Sequence, residues 1–430
     1  MNPIEIDKRT SVFSRVSMNV TKYFDKDEVL WTHQKGAIEV IVKKTLQQSE
    51  EEKKPLVIVL PTGSGKSTVA VLAPYYLKSH RVLVVVPSIM ILQQMKKSFG
   101  TDSDSTESVL SKRGAFGEMN ENSRQEYLPN SYCLETRKDV KHPNILKYDI
   151  TIVNIQKFDK ESIAQIDESC FDLVIVDEAH HLPSATWQMV SDHFHSATKI
   201  YLTATPERQD GKKIYDNFEE PSYCYTFQQA IEDQVIRDVK FEFVETTKCL
   251  EKKLSTKLLQ EHDLLVKNGI ELKSKALIFT KLSIKNDLSE ASDTFNKEWE
   301  KLGATHSESK KLNHRTQKSN LRSFENNSKP FVMFLKAQLL EGYDHSPITI
   351  VWFKKENITS FGKFLQIIGR SIRKNSILDK LITNATIFLP ESGNFPHYVK
   401  KFEEFKSYDF TSIKSDISDN QICDIEIEKM

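Results

Sequence analysis

The hydrophobic positions of this chain gather into short unbroken runs, set apart by longer mixed segments. In the first half the runs lie at residues 56–60, 81–86, 150–153, 173–176 and 200–203. They are rich in Val, Ile and Leu and carry little alternation, as expected of strands covered on both faces of a parallel sheet. Helix-compatible segments such as 67–78 and 89–98 stand between them. This βαβ rhythm predicts a doubly wound α/β domain. A second series, at 239–244, 276–279, 331–335, 348–353 and 385–389, repeats it. The pattern therefore predicts two tandem α/β domains, each a mostly parallel sheet flanked by helices, joined within residues 221–238. Two polar stretches, 101–130 and 307–330, interrupt the series and read as loops or surface helices.

Composition narrows the class. The 430 residues suit two or three domains, and a 39% hydrophobic content excludes wholesale disorder. No apolar run approaches the ~18 residues of a membrane span. Residues 1–10 lack the basic start and hydrophobic stretch of a secretory signal. The expectation is an intracellular protein, cytoplasmic or nuclear, with no membrane contact. Five widely spaced cysteines offer no zinc spacing and read as reduced thiols.

Candidate chemistry begins where the first run enters Pro61-Thr62-Gly63-Ser64-Gly65-Lys66-Ser67-Thr68, with a helical pattern behind it. Glycines at 63 and 65 let the backbone turn its N–H groups toward a phosphate chain, and the helix N-terminus adds partial positive charge. Lys66 is placed for the β- and γ-phosphates, and the Ser67 hydroxyl for Mg²⁺. Leu60 occupies the first glycine position of the general G-x-x-x-x-G-K-[ST] pattern. Thr68 stands where a dinucleotide fingerprint needs its third glycine, which excludes that alternative. The run at 173–176 ends in Asp177-Glu178-Ala179-His180. A strand end beside a phosphate loop is where a second Mg²⁺-holding carboxylate sits, which suits Asp177. Glu178 is then placed to polarise an attacking water.

These residues resemble a superfamily 2 DEAD/DEAH-box helicase, with Asp177-Glu178-Ala179-His180 as the DEAH form of motif II. Further resemblances run in order over residues 25–409. Gln34 resembles the upstream glutamine that reads adenine. Val84–Pro87 resembles motif Ia, Ile152–Gln156 motif Ib, and Leu202–Pro206 motif III, continuing as Glu207-Arg208-Gln209-Asp210-Gly211. Ala276–Thr280 resembles motif IV, and Glu341-Gly342-Tyr343-Asp344 motif V. Gln366-Ile367-Ile368-Gly369-Arg370-Ser371-Ile372-Arg373 fits QxxGRxxR, motif VI. The combination resembles the branch that holds XPB-like and RadD-like proteins and the motor subunits of type I and III restriction systems. Motif V departs from the pattern, with Lys336 and Ala337 where a small hydroxyl residue is usual.

The resemblance implies two RecA-like P-loop domains with ATP and Mg²⁺ in the cleft between them. It implies nucleotide contacts from Gln34, residues 62–68 (Thr62, Gly63, Ser64, Gly65, Lys66, Ser67, Thr68), Gly342 and Asp344. It implies Ser67 and Asp177 as the metal ligands. It implies Lys66, Asp177, Glu178, Gln366, Arg370 and Arg373 as the catalytic set. Arg370 and Arg373 are three apart and so share a face if they lie on a helix, with Gly369 kept inside it for a packing or functional reason. The boundaries expected are an N-terminal extension 1–24, a first domain 25–225, a second 226–409 and an acidic tail 410–430.

Charge points to the partner. The 60 basic and 60 acidic residues cancel overall, yet 307–330 and 354–374 are basic and the tail is acidic. Basic stretches track phosphates without reading sequence. The expected activity is an ATP-dependent helicase or translocase on nucleic acid, DNA favoured over RNA. The alternative is an ATP-gated nucleic-acid sensor or recruitment module. A protein partner on the polar insertions or the tail is also expected.

Overall fold

The computed structural model describes residues 10–26, 28–49, 53–101, 105–134, 143–181, 185–205, 221–244, 250–280, 287–301, 309–311, 323–324, 331–336, 347–354, 358 and 360–406. Gly342 and Asp344, residues 206–211, most of 307–330 and the acidic tail 410–430 lie outside the described residues.

Seven strands form the first sheet: β1 (Leu56–Val59), β2 (Val82–Val86), β3 (Ser131–Leu134), β4 (Ile150–Asn154), β5 (Leu173–Asp177), β6 (Thr198–Thr203) and β7 (Tyr223–Cys224). They run parallel in the order β3-β4-β2-β5-β6-β1-β7. Strands β1, β2, β4, β5 and β6 are buried along their whole length, which explains runs without alternation. The second sheet contains β8 (Asp238–Val244), β9 (Lys275–Thr280), β10 (Ser309–Lys311), β11 (Val332–Lys336), β12 (Ile348–Phe353) and β13 (Asn384–Pro390). It is also parallel, in the order β10-β11-β9-β12-β13-β8. Every strand expected from an apolar run is present. The short strands β3, β7 and β10 are additions, each too mixed or too brief to stand out as a run.

Helices α1 (Val12–Phe24), α2 (Thr32–Gln47) and α3 (Lys66–Tyr76) pack together on the first sheet. Ser11 caps α1 by accepting from Ser14 N, and its hydroxyl donates to the Ser79 carbonyl. Ser17 donates to the Tyr75 carbonyl, so polar groups tie α1 to α3 beside an apolar seam of Phe13, Val16, Val20 and Phe24. One apolar cluster continues from these helices across the first sheet to Leu277 and Ile348 of the second and to Phe364 of the helix Phe361–Ile368. The stretch 101–130 is partly core, since Val109, Leu110, Phe116 and Leu128 are buried in that cluster. No helix among the described residues is long and apolar enough to cross a membrane.

The second sheet also buries a titratable group. His262, in the helix Leu250–Lys267, donates from Nε2 to the Ser274 carbonyl at 2.9 Å and packs edge-on against Phe331. Burial lowers its pKa from 6.5 to about 4, although the Ser274 carbonyl pulls the other way. The unfolded chain therefore takes up a proton that the folded chain refuses. The stabilisation is complete above pH 6.5 and is lost as the pH falls toward 4. Lowering the pH from about 8 to 5 should cost about 2 kcal/mol through this group. Chemical denaturation at both pH values measures it, and His262→Gln should shrink the difference.

Candidate functional site

The loop after β1 is held on both sides. Leu60 N donates to the Thr203 carbonyl at the end of β6, and Ser64 N closes a turn on the Pro61 carbonyl. Gly65 begins α3 at φ +85°, in the left-handed region. A Cβ there would collide with the Gln34 amide, so only glycine permits this approach. Gln34 Nε2 and His33 Nε2 both donate to the Ser64 carbonyl, at 3.0 and 2.8 Å. His33 in turn stacks on Tyr225, ring centres 4.1 Å apart. Gln34 is fully buried, and its Oε1 faces Trp31 N and Arg113. It braces the loop from behind and is not on the wall of the cavity that the loop borders.

That cavity, of about 710 Å³, is the meeting point of the two sheets. Thr62, Gly63, Gly65, Lys66 and Ser67 line it from the loop, Asp177 and Glu178 from the end of β5, and Gln366, Arg370 and Arg373 from the second sheet's side. Lys66 Nζ lies 3.5 Å from the Leu60 carbonyl and 4.0 Å from Glu178 Oε1. Ser64 and Thr68 are buried in and behind the loop. Of the candidate positions, Thr62, Gly63, Gly65, Lys66, Ser67, Asp177, Glu178, Gln366, Arg370 and Arg373 share this cavity; Gln34, Ser64 and Thr68 do not line it, and Gly342 and Asp344 lie outside the described residues.

Electrostatics at the acids are tense. Burial, helped by the Glu178 charge, pushes the Asp177 carboxyl well above the usual carboxylate range, and Lys66 opposes this. Asp177 Oδ1 accepts from Glu178 N at 3.0 Å. Glu178 itself has φ +54°, a conformation that costs a residue with a side chain energy and that clusters at functional sites. Its Oε2 is 3.4 Å from His180 Nδ1, and the Thr203 hydroxyl is 3.5 Å from the same nitrogen. On the far side of the ring, the Gln366 amide donates to His180 Nε2 at 2.9 Å. A short chain of polar contacts thus links the acid of the first sheet to the second sheet through one imidazole.

The arginines correct one expectation. Arg370 and Arg373 are not on a shared helix: the helix Phe361–Ile368 stops at Ile368, with Gly369 as its cap. Arg370 sits in the following turn, and Arg373 forms an antiparallel bridge with Ile236. Both still reach the same cavity. Gly369 has a packing reason, because a Cβ would lie 3.0 Å from both Thr62 carbons and from the Leu365 carbonyl. Burial lowers the Arg373 pKa to about 10, against the pull of Glu178, so it remains a cation at neutral pH. Arg370, Arg373 and Lys374 all line the cavity, so half of the basic run 354–374 faces it rather than open surface.

Sequence reasoning missed other walls of the cavity. Trp31 is half-exposed there, with the Arg113 guanidinium 5.0 Å above its ring. Gln234 and Val235, from the connection between the sheets, and Asp379 and Lys380 also line it. An exposed tryptophan three residues before Gln34 was the available signal for the first; the others depend on long-range packing. Among the described residues no cluster of three or more His, Cys, Asp or Glu side chains is placed to hold a metal by itself.

Residues 29–208 match the family model described as the Type III restriction enzyme, res subunit. A stretch of 85 residues is 34% identical to a type I restriction enzyme EcoAI endonuclease subunit of Escherichia coli, covering 19% of this chain and 10% of that protein. A stretch of 156 residues is 30% identical to the DNA 3'-5' translocase XPB2 of Sulfurisphaera tokodaii, covering 36% and 28%. The chain therefore spans less than a third of the length of either curated relative. A fragment structure assigned to an HsdR subunit of a type I restriction enzyme from Vibrio vulnificus superposes with a TM-score of 0.60 at 19% identity. That likeness covers 92% of this chain and 70% of the other, and it shows a shared fold.

Proposed function

We infer that this chain, which is similar to the restriction motor-subunit branch of the superfamily 2 helicases, is an ATP-driven translocase or helicase acting on nucleic acid, with DNA as the favoured track. The observation that carries the reading is the convergence of Lys66, Asp177 and Glu178 from the first sheet with Gln366, Arg370 and Arg373 from the second on one cavity. We take residues 25–225 and 226–409 as the two RecA-like units, with α1 (Val12–Phe24) joined to the first by its packing on α3.

The residues fit a nucleoside triphosphate with Mg²⁺. The loop N–H groups and Lys66 meet the phosphates, and Trp31 offers an aromatic face to the base. Ser67 and Asp177 would hold Mg²⁺, whose chemistry is to neutralise phosphate charge, and one hydroxyl plus one carboxylate is the donor set expected where phosphates and water supply the rest. Glu178 accepts the proton of the attacking water as its oxygen bonds to the γ-phosphorus and the bond to the β–γ bridging oxygen breaks. Arg370 and Arg373 offset the charge that spreads over the γ-oxygens. Because the arginines come from the second sheet's side of the cavity, in the loop after the helix Phe361–Ile368, turnover requires the two sides to stay closed on the nucleotide. Opening after product release then turns chemistry into motion. The His180–Gln366 contact ties the state of Glu178 to that closure.

Displacement of a third strand from a DNA triplex tests translocation. The wild-type chain should release the strand with ATP, and Lys66→Ala should not. DNA-dependent ATP turnover without any displacement would replace translocation by ATP-gated clamping.

A further inference from the structure

The loop that carries Arg370 and Arg373 is anchored by a residue outside every recognised motif. Arg237 follows the connection between the sheets, just before β8, and is 1% exposed. Its backbone N–H donates to the Ile372 carbonyl at 2.7 Å. Its Nη1 donates to the Ser371 carbonyl and to the Ile348 carbonyl, each at 2.9 Å. Its Nε meets Asp379 Oδ1 at 2.5 Å. The other oxygen of Asp379 accepts from Asn375 N at 2.6 Å, which pins the loop a second time. One residue earlier, Ile236 bridges Arg373. A Cβ on Gly63 of the phosphate loop would touch the side chains of both Arg373 and Ile236.

We propose that Arg237 and Asp379 form a buried clamp that positions Arg370 and Arg373 on the phosphates, making both members positioning residues for hydrolysis. The proposal rests on the ATPase reading above. The physical case is that Gly369 ends the helix, so helical hydrogen bonding cannot set the aim of the arginines that follow. A planar guanidinium can. Its donors diverge at fixed angles, and here they hold the backbone between the two arginines, the start of β12 and the far end of the loop together. Burial makes each of these bonds costly to lose, and it lowers the Arg237 pKa while Asp379 holds it up. Asp379 also lines the cavity, so the clamp reaches the chamber it organises.

The test uses the full chain with duplex DNA and compares Asp379→Asn and Arg237→Lys with wild type and Arg370→Ala. The readouts are kcat, KM, affinity for a non-hydrolysable ATP analogue, and affinity for ADP with aluminium fluoride, which mimics the transition state. Misaimed arginines should lower kcat by about 10- to 100-fold and weaken ADP–aluminium fluoride by a similar factor, with affinity for the ATP analogue nearly unchanged. Asp379→Asn keeps side-chain volume, so it decides the matter if Arg237→Lys does not fold. Unchanged kcat in the clamp variants, with hydrolysis lost in Arg370→Ala, overturns the clamp and leaves the ATPase reading standing. Parallel loss of affinity for both analogues overturns it too, because a purely structural role would act that way. No turnover by the wild type on any nucleic acid overturns the ATPase reading and the clamp together.

Discussion

Glu178→Gln should lower ATP turnover by about 10²–10⁴-fold while nucleotide binding persists. The amide keeps the size and the hydrogen-bonding reach of the acid but cannot take a proton from water. The surroundings sharpen the expectation. Glu178 sits in a left-handed backbone conformation at the mouth of β5, 4.0 Å from Lys66 and 3.4 Å from His180. Removing its charge also relieves Asp177, whose carboxyl is held high by burial and by Glu178 itself. The variant should therefore bind nucleotide at least as well as wild type and accumulate in the ATP-bound state. Fluorescent-nucleotide titration alongside single-turnover hydrolysis checks both halves. Normal turnover in the variant would remove Glu178 as the base.

Arg370→Ala should leave ATP binding nearly intact and lower kcat by about 10³–10⁵-fold. The asymmetry follows from where the charge is needed. In the ground state the loop N–H groups and Lys66 already meet the phosphates, whereas an arginine from the facing sheet gains most as charge spreads in the transition state. Arg370 is buried against the cavity with Gly369 packed on Thr62 one residue away. A variant that lost ATP affinity but hydrolysed normally what it bound would place Arg370 in ground-state binding instead. Steady-state kinetics with ATP-analogue titration separates the two.

The phosphate loop was legible because its chemistry is local. Turn glycines, Lys66 and the helix start must be neighbours in the chain, so their spacing is the signal. The same holds for Asp177 and Glu178 at a strand end, and for the long apolar strands that two covered faces demand. What escaped was set by distant partners. The arginine loop reads as helix from its spacing, yet Gly369 ends the helix where it meets Thr62, and Ile236 captures Arg373 from far along the chain. Gln34 reads as a base contact from its distance upstream of Lys66, yet the gap above Gly65 lets its amide reach the Ser64 carbonyl. The polar stretch 101–130 reads as surface, but four of its apolar residues enter the core and its Arg113 lies over Trp31. Strands of two to four residues, such as β7 and β3, owe their existence to a neighbouring edge rather than to their own sequence.

The convergence of groups from two sheets on one cavity makes a claim about coupling: hydrolysis waits for closure, and nucleic acid spanning both units favours closure. The most direct measurement is steady-state ATP turnover by the wild-type chain, alone and with single-stranded DNA, duplex DNA and RNA. Turnover should be slow for the chain alone and rise severalfold or more on DNA, with a smaller rise on RNA. Turnover that is the same with and without every nucleic acid, or absent throughout, would contradict that claim.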